Sequence, residues 1–159
     1  DQPTAMEMLQ KREFVEAKFV HGTIYGTSVA EIKLAYDQNK VAITDIDVQG
    51  VAEYEKLSPC GIAIFIVPPT YQTWIERLKK RYKTEADFQA EWPKRRQSSI
   101  EELKHALEVP YYHVIINDDL DDAVQICHEI IERGDIISSR DDHARLAARS
   151  LLDELEKIH

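Results

Sequence analysis

The chain has 159 residues, of which 43% are apolar and 31% are charged, and its formal net charge at pH 7 is -9. This length suits one domain with a hydrophobic core. The acidic balance disfavours nonspecific binding to nucleic acid or to anionic membranes, and no apolar run is long enough to cross a bilayer. Cys60 and Cys127 lie in apolar surroundings and no segment resembles a signal peptide, so we expect free thiols and a cytoplasmic protein.

Residues 1–38 contain predicted helix and strand. Residues 14–24 have an extended pattern, and Glu16 lies on this predicted strand, where an exposed carboxylate is the common case. Residues 25–28, Tyr-Gly-Thr-Ser, predict a tight turn followed by a helix that the serine caps. The turn would leave a tyrosine hydroxyl and a threonine beside a helix N-terminus, a place that suits anions.

Residues 41–50, Val-Ala-Ile-Thr-Asp-Ile-Asp-Val-Gln-Gly, predict a buried strand that brings two carboxylates to a sheet edge. Asp45 and Asp47 would then lie on one face of the strand, about 7 Å apart. Such a pair can serve a metal-bound phosphate and a polar ligand together. The simpler alternative is a strand that ends in a polar turn, with an aspartate that caps the next helix.

The remainder of the chain alternates helices and strands, a pattern typical of a parallel α/β sheet. The predicted elements are a helix over 48–57 that breaks at Ser58-Pro59, a strand buried on both faces over 61–67, a helix after Thr70, a strand over 111–116, and a helix from 120 that ends at Gly134. The sequence therefore predicts an α/β fold.

Residues 81–103 are polar and basic, with a capping box at 84–87 and a helix break at Pro93. Such a segment contributes little to a core and can move. Three arginines on a mobile helical flap suit phosphoryl transfer, because guanidinium groups stabilise charge that spreads over the transferred group. A solvated face whose arginines are balanced by acidic residues is the alternative.

Residues 135–159 predict a C-terminal helical extension. Its apolar residues follow heptad spacing over only two heptads: Ala144, Ala148, Leu151, Leu155 and Ile158. We expect this stripe to pack on the domain, with a weak homodimer contact as the second possibility.

Four groups of residues occur in an order and spacing that resemble the guanylate kinase family. They are Phe14-Val15-Glu16 with His21-Gly22 and 25–28, then Asp45-Ile46-Asp47-Val48-Gln49-Gly50, then Ile64 to Thr70, and Val114 to Leu120. The resemblance covers about residues 4–133. It implies one domain with a three-layer, P-loop-kinase-like parallel sheet flanked by helices. Its parts would be a mixed β/α GMP-binding subdomain over 1–38, a core over 39–80 and 104–134, and a helical lid over 81–103.

The same resemblance implies a phosphotransferase that converts ATP and GMP to ADP and GDP with Mg²⁺, without nucleic-acid or membrane partners. The matched positions are Glu16, Thr27 and Asp47 for the guanine base, Tyr25 for the GMP phosphate, Asp45 near the magnesium ion and phosphates, Arg81 and Arg95 in the lid, and Asn117 beside the ATP site. The lid has a longer stretch before Pro93 than the family pattern, so Arg96 is an alternative to Arg95.

The chain departs from the family in its phosphate loop, since G-x-x-x-x-G-K-[ST] occurs nowhere in the 159 residues. The arginine loop that grips the GMP phosphate is also absent. The family's first strand is central to its sheet, so we expect these residues to leave apolar surface uncovered and to lack phosphoryl transfer by themselves. Two classes remain: a guanylate kinase that is incomplete at its N-terminus, or a catalytically inactive module that binds GMP or a protein partner.

Overall fold

The computed structural model describes residues 1–20, 23–57, 61–133 and 139–158, in two compact units that span 1–61 and 62–159. The first unit contains α1 (Gln2–Gln10), β1 (Phe14–Val20), β2 (Thr23–Ser28), α2 (Val29–Asp37) and α3 (Val48–Leu57). The second contains β3 (Ala63–Val67), α4 (Tyr71–Lys79), α5 (Glu85–Glu108), β4 (Tyr112–Ile116), α6 (Leu120–Arg133) and α7 (Ser139–Lys157). His21, Gly22, Cys60 and the predicted helix ends at Ser58-Pro59 and Gly134 lie outside the described residues.

In the first unit, β1 and β2 form an antiparallel hairpin. The predicted turn at 25–28 is wrong, because these residues lie in β2. Gly26 lies opposite Ala17, and a Cβ added to Gly26 would lie 2.4 Å from the carbonyl oxygen of Glu16. Glycine is therefore required by close backbone contact within the hairpin.

The predicted strand around Asp45 and Asp47 is also wrong, because residues 40–47 have no regular secondary structure. A strand needs a neighbour for its N–H and C=O groups. Among the described residues of this unit the strands are β1 and β2, which pair with each other. Val41, Ala42 and Ile43 are consequently exposed, and Ile43 is 83% exposed. Both aspartates thus lie on an irregular segment that leads into α3.

In the second unit, β3 and β4 pair in parallel, with Ala63 opposite Tyr112 and Val67 opposite Ile116. Helices supply most of the remaining core, through Leu78, Phe88, Ile100, Leu103, Ala106 and Ala123 among others. The α/β fold class is confirmed. The expectation that β3 is buried on both faces is wrong at Ile66, which is 55% exposed. Ile66 is therefore an exposed apolar residue of the second unit.

Helix α7 packs on β4 and on α5. Four residues of its predicted apolar stripe are buried within the second unit: Ala144, Ala148, Leu151 and Leu155. The stripe therefore packs on the domain, which was the first of the two expectations for this helix.

The predicted helix break at Pro93 is wrong, because α5 continues through this residue. The helix begins at the expected capping box, in which the Thr84 hydroxyl accepts from the Asp87 amide and the Asp87 carboxylate accepts from the Thr84 amide, and it continues through Pro93 as one helix of 24 residues. Proline removes one intrahelical hydrogen bond. The helix continues because it is buried on both sides of the proline, at Phe88 and at Ile100.

We predict that Pro93→Ala stabilises the protein. Pro93 is exposed, so the substitution restores a helical N–H without removing core contacts, and the free energy of unfolding should rise by about 1–3 kcal/mol in urea titrations. Gln97→Ala, at another exposed position of α5, is the control and should change the free energy by less than about 0.5 kcal/mol. An unchanged or lower stability in Pro93→Ala would show that the proline carries no cost in this helix.

Candidate functional site

The hairpin of the first unit contains a buried carboxylate. Glu16 is 7% exposed and is the one buried charged side chain among the described residues. Its Oε1 accepts two hydrogen bonds from Thr27, one from the amide at 3.0 Å and one from the hydroxyl at 3.1 Å. The two residues are partners across the strands. The hairpin therefore supplies both of the donors that make burial of this charge tolerable.

Four polar side chains lie on one face of this hairpin, because side chains alternate along each strand and Lys18 lies opposite Tyr25 just as Glu16 lies opposite Thr27. Tyr25 is 62% exposed. The Thr27 hydroxyl also lies 3.2 Å from the hydroxyl of Thr44, which connects the hairpin to the irregular segment before α3.

Asp47 joins the same group of residues. Its Oδ1 accepts from the Lys18 ammonium group and, at 2.8 Å, from the Gly50 amide in the first turn of α3. The alternative expectation that an aspartate caps the next helix is thus confirmed for Asp47. Partial burial acts to raise the pKa of Asp47, but the hydrogen bonds from Lys18 and from the Gly50 amide outweigh it, and the pKa lies below its ordinary value.

The structure brings together three of the residues predicted to contact a guanine base: Glu16, Thr27 and Asp47. Sequence analysis missed Lys18 and Thr44. A single lysine in a strand carries no signal of its own, and the position of Lys18 beside Tyr25 and Asp47 depends on the hairpin register. The resulting surface combines carboxylate and hydroxyl acceptors with hydroxyl and ammonium donors, a set that can hold a polar base and a phosphate.

The predicted lid arginines differ in their contacts within the second unit. Arg95 is exposed, and its Nε donates to the Tyr82 hydroxyl at 3.2 Å. Arg96 is half-buried, and its Nε donates to the Leu155 carbonyl near the end of α7 at 2.8 Å. Arg81 is exposed just after α4. Arg95 and Arg96 thus have different partners, a side chain after α4 and the backbone of α7.

Asn117 lies at the carboxyl end of β4, where its amide donates to the Val67 carbonyl of β3 at 2.8 Å. Arg77 of α4 donates from its two terminal nitrogens to the Asn117 carbonyl and to the Asp118 carbonyl. This contact fixes the turn after β4. It could not be found from the sequence, because the partners of Arg77 are backbone atoms that any residue type supplies.

The described ranges contain no cluster of three His, Cys, Asp or Glu residues suited to a metal ion. They also contain no helix that is long and apolar enough to cross a membrane. Cys127 is a free thiol whose partial burial raises its pKa.

The described elements form an α/β fold. The crystal structure of guanylate kinase from Anaplasma phagocytophilum matches all of this chain and 73% of that chain, with a TM-score of 0.58 and 21% sequence identity. The family model described as guanylate kinase matches residues 2–134. The chain therefore belongs to the guanylate kinase family.

Several curated relatives are similar over most of the chain. Guanylate kinase of Chlamydia trachomatis serovar D is 38% identical over 124 residues, which are 78% of this chain and 58% of the relative. Guanylate kinase of Rickettsia felis is 33% identical over 125 residues, 79% of this chain and 62% of the relative. Guanylate kinase 1 of Oryza sativa subsp. japonica is 34% identical over 138 residues, 86% of this chain and 34% of the relative. The chain spans less than two thirds of each.

We predict that the contribution of Asp47 to stability is lost in acid. The native pKa is lowered, so the contribution is complete above the unfolded pKa of about 3.9 and disappears as the pH falls through the native pKa. The wild type should exceed Asp47→Asn in unfolding free energy by about 0.5–1 kcal/mol at pH 7, since the pair is partly screened by solvent. Urea titrations from pH 7 to pH 3 should show this difference shrinking below about pH 5.

A Lys18→Met background provides the control for the Asp47 titration. Removal of the ammonium donor should reduce both the difference at pH 7 and its pH dependence, because Lys18 supplies one of the hydrogen bonds that lower the pKa of Asp47. A difference between wild type and Asp47→Asn that stays constant or grows on acidification would contradict this account.

Proposed function

We propose that the protein is a guanylate kinase that transfers a phosphoryl group from ATP to GMP, and that the first unit binds GMP. The observation that carries the proposal is the grouping of Glu16, Thr27 and Asp47 around the hairpin face. Guanine presents its N1–H and its exocyclic amino group as neighbouring donors, which carboxylates accept. Adenine lacks that donor pair, so the residues would distinguish the two bases.

The exposed part of the same face suits the GMP phosphate. Tyr25 presents its hydroxyl at 62% exposure, and Lys18 lies opposite it with a cationic group. A hydroxyl donor beside an ammonium group can bind a phosphate, and the hydrogen bond from the charged donor is the stronger of the two. We propose Tyr25 as the phosphate ligand and Lys18 as a second donor.

Catalysis in this proposal is positional and electrostatic. An oxygen of the GMP phosphate attacks the terminal phosphorus of ATP, ADP leaves, and the enzyme forms no covalent intermediate. Arg81 and Arg95 would stabilise the charge on the transferred group. Both residues are exposed, so their guanidinium groups are accessible to a bound nucleotide. Asn117, which is fixed at the end of β4, would lie on the ATP side.

Mg²⁺ would accompany ATP as the co-substrate. This ion prefers oxygen ligands, and it is commonly held by one or two carboxylates together with substrate phosphates. Asp45 is an exposed carboxylate on the segment before α3, so its chemistry and accessibility fit this role. Bound Mg²⁺ would neutralise charge on the phosphates. The cytoplasmic location and the weak homodimer expected from the sequence remain predictions.

Turnover of GMP by the full-length gene product tests the proposal. We expect ATP-dependent formation of GDP, and we expect Glu16→Gln to lower kcat/KM for GMP by about tenfold to a hundredfold, since it weakens a charged acceptor. Glu13→Gln makes the same chemical change at an exposed position three residues away and should leave kcat/KM within about twofold. AMP should be a poor substrate in every case.

Three results separate the alternatives. Equal kcat/KM in Glu16→Gln, Asp47→Asn and Glu13→Gln would contradict the proposed guanine site. Calorimetric binding of GMP without turnover would favour a catalytically inactive module. A folded protein that neither binds nor phosphorylates GMP would overturn the proposal.

A further inference from the structure

Helix α7 lies outside residues 2–134, the range that matches the guanylate kinase family model. It packs along β4, which pairs with β3 on one side only among the described residues. The amide of Asn117 points toward β3. Because successive residues of a strand direct their N–H and C=O groups to alternate sides, the backbone groups of Tyr112 and Val114 point to the opposite, outer edge of β4.

Two side chains of α7 bind this outer edge. Asp141 Oδ1 accepts from the Val114 amide at 2.6 Å, and Arg145 Nη2 donates to the Tyr112 carbonyl at 2.5 Å. Arg145 Nε also donates to Asp141 Oδ2 at 2.7 Å, so the two side chains support each other. The buried alanines Ala144 and Ala148 allow the helix backbone to approach the strand closely.

We propose that this pair, the Asp141–Arg145 clasp, replaces one residue of a neighbouring strand and keeps the outer edge of β4 from pairing with a second copy of this chain. In a parallel sheet, one residue of the adjacent strand donates to a C=O and accepts from the N–H two residues further along. Arg145 supplies that donor at Tyr112 and Asp141 supplies that acceptor at Val114.

The sequence of β4 explains why its edge requires protection. Residues 111–116 read Tyr-Tyr-His-Val-Ile-Ile, a six-residue segment that is rich in β-branched and aromatic residues and contains no proline, glycine or permanently charged side chain. Such segments pair with copies of themselves when an edge is open. The natural partner of an opened β4 is therefore the same strand of a second molecule.

The double variant Asp141→Ala/Arg145→Ala tests the clasp in the whole protein. At low concentrations, where the variant is monomeric, we expect hydrogen exchange at the Val114 amide to be at least about tenfold faster. At higher concentrations we expect sedimentation velocity to show larger species. The matched control is Asp142→Ala/Arg149→Ala, which removes the same two charges from exposed positions of the same helix. This control should keep the sedimentation behaviour and the Val114 exchange of the wild type.

A charge exchange distinguishes the clasp from an ordinary ion pair. Asp141→Arg/Arg145→Asp keeps opposite charges four residues apart on α7 but presents a donor to the Val114 amide, so it should fail as the alanine variant does. Wild-type exchange and sedimentation in this variant, or in the alanine variant, would overturn the proposal. In the unaltered protein the Val114 amide should exchange as slowly as that of Asn117, and exchange at the rate of an unprotected amide would overturn it even if no variant folds.

Discussion

In the first unit the Glu16 carboxylate is nearly removed from solvent, and Thr27 provides an N–H and an O–H donor that offset the loss of its hydration. These donors come from the opposite strand, so the hairpin must form for the charge to be buried. The close backbone contact at Gly26 allows this pairing. The same register places Lys18 opposite Tyr25, so one set of cross-strand contacts determines both the fold of the unit and the composition of its polar face.

The elements that were predicted correctly depend on local signals. Caps and apolar periodicity located α4 after Thr70 and α5 after Thr84, because a cap and its helix are neighbours in the sequence. The incorrect predictions concern residues whose structure depends on partners that are distant in the sequence. A β-branched run remains irregular at 41–47 where no described strand pairs with it, Gly26 serves close strand contact, and Pro93 is tolerated because buried residues on both sides hold α5 together.

The candidate site also combines features that the sequence indicates with features that depend on tertiary contacts. The resemblance to a known family supplied the residue types of Glu16, Thr27 and Asp47, and the structure shows them grouped with Lys18 and Thr44. Neither of these added residues has a sequence signal, because their placement depends on strand register and on the path of an irregular segment. The clasp on β4 could not be predicted from the sequence either. An aspartate and an arginine four residues apart predict only a surface ion pair. Their backbone partners on β4 lie about 30 residues away in the chain.

The proposed function depends on binding of the guanine base of GMP to the polar face of the hairpin. Titration of the ¹⁵N-labelled protein with GMP, followed by amide chemical shifts, tests this most directly. The amides of Thr27 and Gly50 donate to Glu16 and Asp47, so they report on both carboxylates. GMP should shift both amides saturably, and AMP should shift them much less. Equal responses to the two nucleotides, or GMP-induced shifts that spare both amides, would contradict it.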